Sequence, residues 1–188
     1  MIKVGITGLI ASGKTTASKI ISKNNGPLFS ADKVVKKLYA SKKFKKIVSK
    51  KLSIQENTNF KKAIKIRILK SDKFLLKLGK IIHPLVRKQM HLFTKKNNNK
   101  KFLFFEIPLL IENKLHKYFD IIILIKSKKS LRSKRYSGKI GHDNLFAIFD
   151  KKQLKDNRKV KFCNHIVVNN SSLVVLKKKL NNIISLYE

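Results

Sequence analysis

Residues 8–15 combine two glycines, a lysine and a threonine at a spacing that can bind phosphate. The segment reads Gly-Leu-Ile-Ala-Ser-Gly-Lys-Thr and fits the pattern G-x-x-x-x-G-K-[ST]. Backbone N–H groups of such a loop converge on a phosphate chain, and the dipole of the following helix adds positive potential. We expect Lys14 to reach the β and γ phosphates as a point charge and the Thr15 hydroxyl to ligate Mg²⁺. The sequence therefore predicts that this loop binds a nucleotide.

A strand before this loop and a helix after it are required if the loop is to hold phosphate. Ile2, Val4 and Ile6 predict a short buried strand that ends at Thr7. Residues 16–23 have apolar side chains at helical spacing, and Asn-Asn-Gly-Pro follows them, as is typical of a helix end. An ordinary glycine turn between a strand and a helix is the alternative interpretation. The residues expected to contact the nucleotide are Gly8, Ile10, Ala11, Ser12, Gly13, Lys14, Thr15 and Thr16.

Apolar runs recur along the chain and alternate with helical patterns. Short buried strands are predicted at residues 28–30, 102–105, 121–125 and 166–168, and a last helix at 173–186. Buried strands that alternate with helices form a parallel sheet covered on both faces. The sequence therefore predicts an α/β fold.

The chain is predicted to be a single domain, residues 1–188, with two helical insertions. Residues 33–92 show helix-period patterns that no strand alternation interrupts. Residues 127–156 are charged and contain no strand pattern, and we interpret them as helices that form a mobile flap.

A phosphate-binding loop alone does not distinguish kinases, GTPases and ATPases. The guanine-reading pattern Asn-Lys-x-Asp is absent, and the chain is too short for a motor ATPase. A small-molecule kinase needs an acidic group near the end of a second strand to orient or deprotonate the attacking hydroxyl. Asp32 follows the strand at 28–30 and fits this role, and an N-cap of the next helix is its alternative role. Glu106, which ends the 102–105 strand, is interpreted either as a magnesium ligand through water or as a cap of its element.

The composition is strongly basic, but it does not by itself indicate a nucleic-acid-binding protein. The 188 residues include 45 Lys and Arg against 10 Asp and Glu, a net charge of +35. Only five of these basic residues are Arg, which is favoured for phosphate and base contacts, and the lysines are spread along the chain. We attribute the lysine excess to A/T-rich codons and expect no specific nucleic-acid partner.

Membrane and disulfide-rich proteins are not indicated either. The purest apolar run, residues 121–125, is far shorter than the roughly 20 residues of a spanning helix. No secretory signal is visible, and Cys163 is the only cysteine, so an intrachain disulfide is excluded. We expect a cytoplasmic protein without a membrane partner that is a monomer or a weak homo-oligomer.

Several segments have the order and spacing found in dephospho-CoA kinases. Over essentially its whole length the chain resembles this family in five motifs: Ile-Thr-Gly-x-x-x-Ser-Gly-Lys-Thr at 6–15, Ala-Asp at 31–32, Ile-His-Pro-Leu at 82–85, Ile-Pro-Leu-Leu-x-Glu at 107–112, and Gln153 followed by Ile-Val-Val-Asn-Asn. The resemblance implies a P-loop kinase fold with a five-stranded parallel sheet flanked by helices, a helical substrate-binding insertion and a lid. It also implies transfer of the γ-phosphoryl group of ATP to the 3′-hydroxyl of dephospho-CoA, the last step of coenzyme A synthesis.

The resemblance further implies roles for residues near the transferring phosphate. Asp32 matches the catalytic base, and Thr7 matches a threonine expected near that phosphate. Arg132, Arg135 and Lys139 lie in the lid, where the family has arginines that clamp the ATP phosphates. A solvated charged surface is the alternative for these three cations.

The resemblance implies other contacts to the two substrates. Asn169 matches a stretch near the adenine of ATP. Simple packing is the alternative for His83. The residues implied to contact or support dephospho-CoA are Asp32, Lys36, His83, Pro84, Pro108, Leu109 and Glu112.

Several positions depart from the family pattern. Ser30 stands where the family usually has the first Asp of Asp-Ala-Asp, and Lys36 stands where an arginine is usual. Leu9 and Ala11 replace glycines of the loop. If the backbone of Ala11 requires a positive φ, the strain costs about 1 kcal/mol. We expect these changes to slow the enzyme without changing its reaction.

Overall fold

One sheet of five parallel strands lies at the core of the larger part of the protein. The computed structural model describes residues 1–55, 59–140 and 143–188, apart from the side chains of 139–140 and 143–144. The strand order across the sheet is β2-β3-β1-β4-β5. The strands are β1 (Ile2–Thr7), β2 (Leu28–Ser30), β3 (Phe102–Glu106), β4 (Ile121–Lys126) and β5 (His165–Val168).

Helices occupy most of the remaining described chain. They are α1 (Lys14–Ser22), α2 (Ala31–Ala40), α3 (Lys42–Leu52), α4 (Phe60–Lys70), α5 (Asp72–Lys96), α6 (Lys129–Ile140), α7 (Asp143–Lys151), α8 (Asp156–Val160) and α9 (Leu173–Ile184). The chain folds into two compact units. The sheet unit contains Met1–Ser30 and Asn97–Glu188, and the helical unit contains Ala31–Lys96.

The strand register brings polar residues to one edge of the sheet. β1 pairs with β3 on one side and with β4 on the other. Ile6 is in register with Glu106, and Glu106 is in register with Ser30. Because the strands are parallel, Thr7, Ser30 and Glu106 all lie at the carboxyl edge, where open α/β sheets bind ligands.

The sheet unit is stable because both faces of its central strands are buried. On one face, Ala17 and Ile21 of α1 and Leu176 and Leu180 of α9 pack against the strands. Every residue of β3 is buried, so the strand is a continuous apolar run up to Glu106 rather than an alternating pattern. Such runs are what parallel strands covered on both sides require.

The helical unit has its own apolar core. Side chains from α3, α4 and α5 form it: Phe44, Val48, Leu52, Phe60, Ile64, Phe74 and Leu78. The hydroxyl oxygens of Ser41 and Ser71 accept hydrogen bonds from the N–H groups of Phe44 and Phe74, so the starts of α3 and α5 are capped. The long helix α5 continues through Pro84.

The predicted fold class is confirmed, including all five strands and the parallel sheet flanked by helices. The boundaries differ slightly. α1 begins at Lys14, before its first apolar position, because Gly13 C=O already accepts a hydrogen bond from Ala17 N–H at 2.9 Å. The last helix ends at Ile184 rather than at residue 186. Among the described residues, no helix is both long and apolar enough to cross a membrane.

The thiol of Cys163 lies partly buried and donates to the carbonyl oxygen of Lys159 at 3.2 Å. Burial raises its pKa from an ordinary value of 9.0 to about 11. Because only the thiolate reacts with iodoacetamide, we expect alkylation at neutral pH to be about 100-fold slower in the folded chain than in guanidinium. The single cysteine makes mass spectrometry a direct readout. Equal rates in the folded and unfolded protein would contradict this prediction.

Candidate active site

The backbone of residues 8–15 turns sharply between β1 and α1. Gly8 has φ +149° and Gly13 has φ +97°, a region that side chains rarely occupy. A Cβ at Gly8 would lie 2.3 Å from the carbonyl oxygen of Ile125, and one at Gly13 would lie 2.2 Å from Nδ2 of Asn169. Gly8 is therefore required by conformation and by the neighbouring backbone. Gly13 is required by conformation, and a Cβ there would also displace the Asn169 amide.

Ala11 has the positive φ on which the expected strain depends. Its φ is +56°, in the left-handed region, whereas Leu9 does not have a positive φ. The strain at Ala11 disfavours the folded loop by about 1 kcal/mol. Having alanine instead of glycine at position 11 is therefore costly. Having leucine instead of glycine at position 9 carries no such strain, because the backbone there is not left-handed.

We predict that Ala11→Gly leaves the stability unchanged or raises it by up to about 0.6 kcal/mol, because relief of about 1 kcal/mol of strain is partly or fully offset by the about 0.4–1 kcal/mol that glycine's flexibility adds in the unfolded chain. The measurement is the free energy of unfolding from denaturant titration. Ala17→Gly is the matched control: Ala17 is fully buried inside α1, so it should lose about 1 kcal/mol or more. Destabilisation by both variants would contradict the prediction.

Lys14 and Thr15 begin helix α1 and point to different partners. The Lys14 side chain is 8% exposed, and its Nζ donates to the carbonyl oxygen of Leu9 at 2.9 Å. The hydroxyl of Thr15 donates to Oε1 of Glu106, whose side chain at the end of β3 is buried. A hydroxyl beside a carboxylate is an oxygen donor set of the kind that Mg²⁺ prefers.

Thr7 and Pro108 connect the ends of two neighbouring strands. The hydroxyl of Thr7 donates to the carbonyl oxygen of Pro108 at 3.1 Å, and the Thr7 side chain is fully buried. The motif at 107–112 is therefore held beside the start of the phosphate-binding loop. Leu109, the next residue, is among the exposed large apolar side chains.

Two residues of the 127–156 segment hold the peptide groups of Ile10. Ile10 N–H donates to Oε1 of Gln153 at 2.7 Å, and its carbonyl oxygen accepts from Nη1 of Arg132 at 3.4 Å. Arg132 is buried, forms an ion pair with Asp150 and lies 5.5 Å over the ring of Phe146. Arg132 is thus part of the support of the loop.

Arg135 and Asn169 contact the other end of the loop. The Asn169 amide donates to the carbonyl oxygen of Ser12 at 2.9 Å. Nη1 of Arg135 lies 3.5 Å from the same carbonyl and 3.1 Å from the hydroxyl of Ser127, and its Nη2 donates to the carbonyl oxygen of Asn169 at 3.0 Å. The structure therefore brings both predicted ATP contacts to the loop. The side chain of Lys139 lies outside the described residues.

The remaining predicted site residues belong to the helical unit. Asp32 and Lys36 are exposed on α2, with Asp32 two residues beyond the end of β2. His83 and Pro84 lie on α5. Burial, and to a lesser degree the charge of Arg87, lower the pKa of His83 below its ordinary value. The lowered pKa therefore favours the neutral form of His83 at pH 7.

Comparison with known proteins decides which kinase family contains this loop. A sequence model of dephospho-CoA kinases matches residues 2–174. The chain belongs to the dephospho-CoA kinase family. It is accordingly an ATP-dependent phosphotransferase that acts on dephospho-CoA, as the motif resemblance indicates.

Proteins named dephospho-CoA kinase match most of this chain in sequence. The dephospho-CoA kinase of Rickettsia bellii is 31% identical over 186 residues, which cover 98% of this chain and 97% of the relative. That of Bartonella quintana is 34% identical over 162 residues, which cover 83% of each chain.

Solved structures show the same fold. A Thermus thermophilus protein superposes with a TM-score of 0.84 at 22% identity and covers 100% of this chain and 98% of its own. The dephospho-CoA kinase from Campylobacter jejuni gives a TM-score of 0.64 at 24% identity, with 97% and 95% covered. At these identities the likeness concerns the fold alone.

Sequence reasoning missed two features of this dephospho-CoA kinase site. Gln153 was noted only as a motif match, yet its side chain binds the loop amide of Ile10. Lys159, one lysine among many, is fully buried, and its Nζ lies 2.8 Å from Oε1 of Glu112. Nothing in the residue types separates Lys159 from the exposed lysines. The implied contact between Glu112 and the substrate remains a prediction.

Proposed function

We propose that this protein makes coenzyme A by transferring the γ-phosphoryl group of ATP to the 3′-oxygen of dephospho-CoA. The residues that carry out this transfer would be those of the P-loop, residues 8–15, together with Asp32. The observation that carries this mechanism is the P-loop itself. Its two motif glycines adopt positive φ, and Lys14 and Thr15 stand at the start of α1. Bond formation to the 3′-oxygen accompanies cleavage from the β–γ bridging oxygen, and the hydroxyl proton passes to Asp32.

The P-loop would bind ATP through its backbone and through Lys14. N–H groups at the start of α1 face the phosphates with the positive end of the helix dipole. Lys14 would exchange the Leu9 carbonyl for phosphate oxygens, which are stronger acceptors because they are charged. Gly8, Ala11, Ser12, Gly13 and Thr16 shape this anion site.

Mg²⁺ would be held by Thr15, with Glu106 bound to it through water. The buried carboxylate at the end of β3 already accepts the Thr15 hydroxyl, so the donor set fits this ion. The ion would neutralise charge on the β and γ phosphates.

Asp32 would orient the 3′-hydroxyl and accept its proton. It follows β2 by two residues, and β2 ends in register with Glu106. Since Ser30 replaces an acidic residue, Asp32 would act with one carboxylate fewer beside it. Thr7 would support the transferring phosphate from the end of β1.

Dephospho-CoA would be bound largely by residues outside the P-loop. Lys36, a cation on α2, suits the phosphates of dephospho-CoA, though it lacks the bidentate geometry of arginine. His83 and Pro84 on α5 would contact or support the same substrate. Pro108 and Leu109 would shape the acceptor pocket, and the exposure of Leu109 makes its side chain available.

The segment 127–156 would act as a lid. Arg135 is only partly buried and binds the carbonyl oxygens of Ser12 and Asn169. This position beside the P-loop supports a role in which its charge would stabilise the transferring group. Arg132 would act from behind the loop, and Asn169 would lie near the adenine. Closure of the lid would exclude water and limit ATP hydrolysis.

The partners of the enzyme would be ATP and dephospho-CoA alone. We propose a cytoplasmic monomer or weak homo-oligomer without a specific nucleic acid or membrane partner. The evenly spread lysines support the absence of a specific nucleic-acid partner, because polyanion binding through them would be nonspecific and would fall as salt rises.

The deciding experiment follows ADP release from Mg-ATP with dephospho-CoA, a panel of nucleosides or no acceptor, in about 0.2 M salt to suppress polyanion binding. We expect ADP release that depends on dephospho-CoA and yields coenzyme A. Release only with another acceptor would overturn the substrate assignment and leave the P-loop assignment intact.

A further inference from the structure

Glu112 connects two segments that are far apart in the chain. Its Oε1 accepts a hydrogen bond from the backbone N–H of Leu154 at 3.1 Å and lies 2.8 Å from Nζ of Lys159. Glu112 follows β3, whereas Leu154 lies just before α8 and Lys159 lies within it. One carboxylate oxygen therefore fixes the chain between α7 and α8 to the turn that follows β3.

The environment of this contact makes it sensitive to the loss of either partner. Lys159 is 0% exposed, so its ammonium has left water and depends on the Glu112 charge. Oε2 of Glu112 is also buried and has no hydrogen-bond partner among the described residues. The carboxylate is thus turned toward protein through both oxygens.

The fixed segment carries a contact to the P-loop. Gln153 immediately precedes Leu154, and its Oε1 accepts the N–H of Ile10 at 2.7 Å. The N–H of Leu154 is held by Glu112, and Gln153 is the residue directly before it. The backbone of Gln153 therefore has little freedom to move. The contacts therefore run from Lys159 through Glu112 and Leu154 to Gln153 and Ile10.

We propose that Glu112 and Gln153 are positioning residues for ATP: Glu112 anchors Leu154, and Gln153 thereby holds Ile10 and the P-loop in the phosphate-binding conformation. Glu112 then acts on nucleotide binding without touching dephospho-CoA. The proposal rests on ATP binding by this loop, as stated in the proposed function. It replaces a direct substrate contact of Glu112 with an indirect effect on the other substrate.

Gln153→Met tests the last contact of this series, because methionine keeps the length of the side chain and removes the acceptor for Ile10 N–H. We expect the dissociation constant for Mg-ATP, measured by calorimetry, to rise about 2- to 10-fold, the factor that one hydrogen bond of this kind is worth. Hydrogen exchange of the peptide spanning 8–15 should also quicken in the nucleotide-free protein. Gln89→Met, at an exposed position of α5, is the matched control and should change neither quantity.

Glu112 is tested by a pair of substitutions and a rescue. Glu112→Met removes the acceptor and should weaken Mg-ATP binding as Gln153→Met does, with the KM for dephospho-CoA unchanged. Glu112→Gln combined with Lys159→Met keeps an acceptor for Leu154 N–H without any buried charge, and it should recover most of the ATP affinity. The double variant Glu112→Met/Gln153→Met should bind ATP no worse than Gln153→Met alone, because the two residues act in series.

Three results would overturn the proposal. One is an unchanged exchange rate of the 8–15 peptide in Gln153→Met. A second is additive losses in Glu112→Met/Gln153→Met. The third is a raised KM for dephospho-CoA with normal ATP affinity in Glu112→Met, which would make Glu112 a substrate contact. If Glu112→Met does not fold, the rescued pair and Gln153→Met still decide, and if the wild-type chain binds no ATP, hydrogen exchange still reports on the loop.

Discussion

Asp32→Asn should lower kcat by about 10²- to 10⁴-fold, the range that general-base catalysis contributes. An amide keeps the size of the side chain and can still hydrogen-bond the 3′-hydroxyl, but it cannot take up the proton. The KM for ATP should change little, because Asp32 lies on α2, outside the P-loop. Steady-state kinetics with both substrates varied, together with the free energy of unfolding, provides the measurement.

The control for Asp32→Asn must remove a carboxylate from the same kind of position. Asp72 also lies in the first turn of a helix and is exposed, so Asp72→Asn loses a similar interaction with the helix dipole, worth about 0.3–1 kcal/mol. We expect normal kcat in this control. If Asp32→Asn retained its kcat and lost only stability, Asp32 would be a helix-capping residue and another group would have to serve as the base.

Lys14→Ala should reduce kcat/KM by about 10²- to 10³-fold, as the loss of one preorganised group facing transition-state charge does in other enzymes. Its ammonium lies at the P-loop itself, 2.9 Å from the carbonyl oxygen of Leu9. The ATP dissociation constant should rise as well, because Lys14 interacts with both ground-state and transition-state phosphates. Kinetics and calorimetric titration with Mg-ATP separate these two effects.

The stability of the nucleotide-free Lys14→Ala protein should change modestly. Nζ of Lys14 donates a hydrogen bond to the Leu9 carbonyl, and such a bond contributes about 0.5–1.5 kcal/mol. Lys19→Ala, an exposed lysine on the same helix, is the control and should keep full activity. Normal ATP affinity in Lys14→Ala would show that the backbone of the loop binds the nucleotide without this side chain.

Local sequence patterns were sufficient to predict the strands of this protein and its phosphate-binding loop. The five strands are short apolar runs, and the helices have a regular apolar period, so each can be recognised within about ten residues of sequence. The P-loop was equally local, because two glycines, a lysine and a threonine within eight positions define its conformation and its charge. The glycine that the family has at position 11 raised a left-handed backbone at Ala11 as a condition, and the structure has this conformation there.

The sequence by itself therefore determined the fold class, the nucleotide-binding loop and the family. Only the tertiary structure decided what supports that loop, because the contacts join distant positions: Thr15 with Glu106, Ile10 with Gln153, Ser12 with Asn169. It also decided which lysine is buried, since burial of Lys159 depends on Glu112, and 47 positions separate the two. Spacing reveals contacts within one element, whereas contacts between elements depend on how the strands are ordered in the sheet.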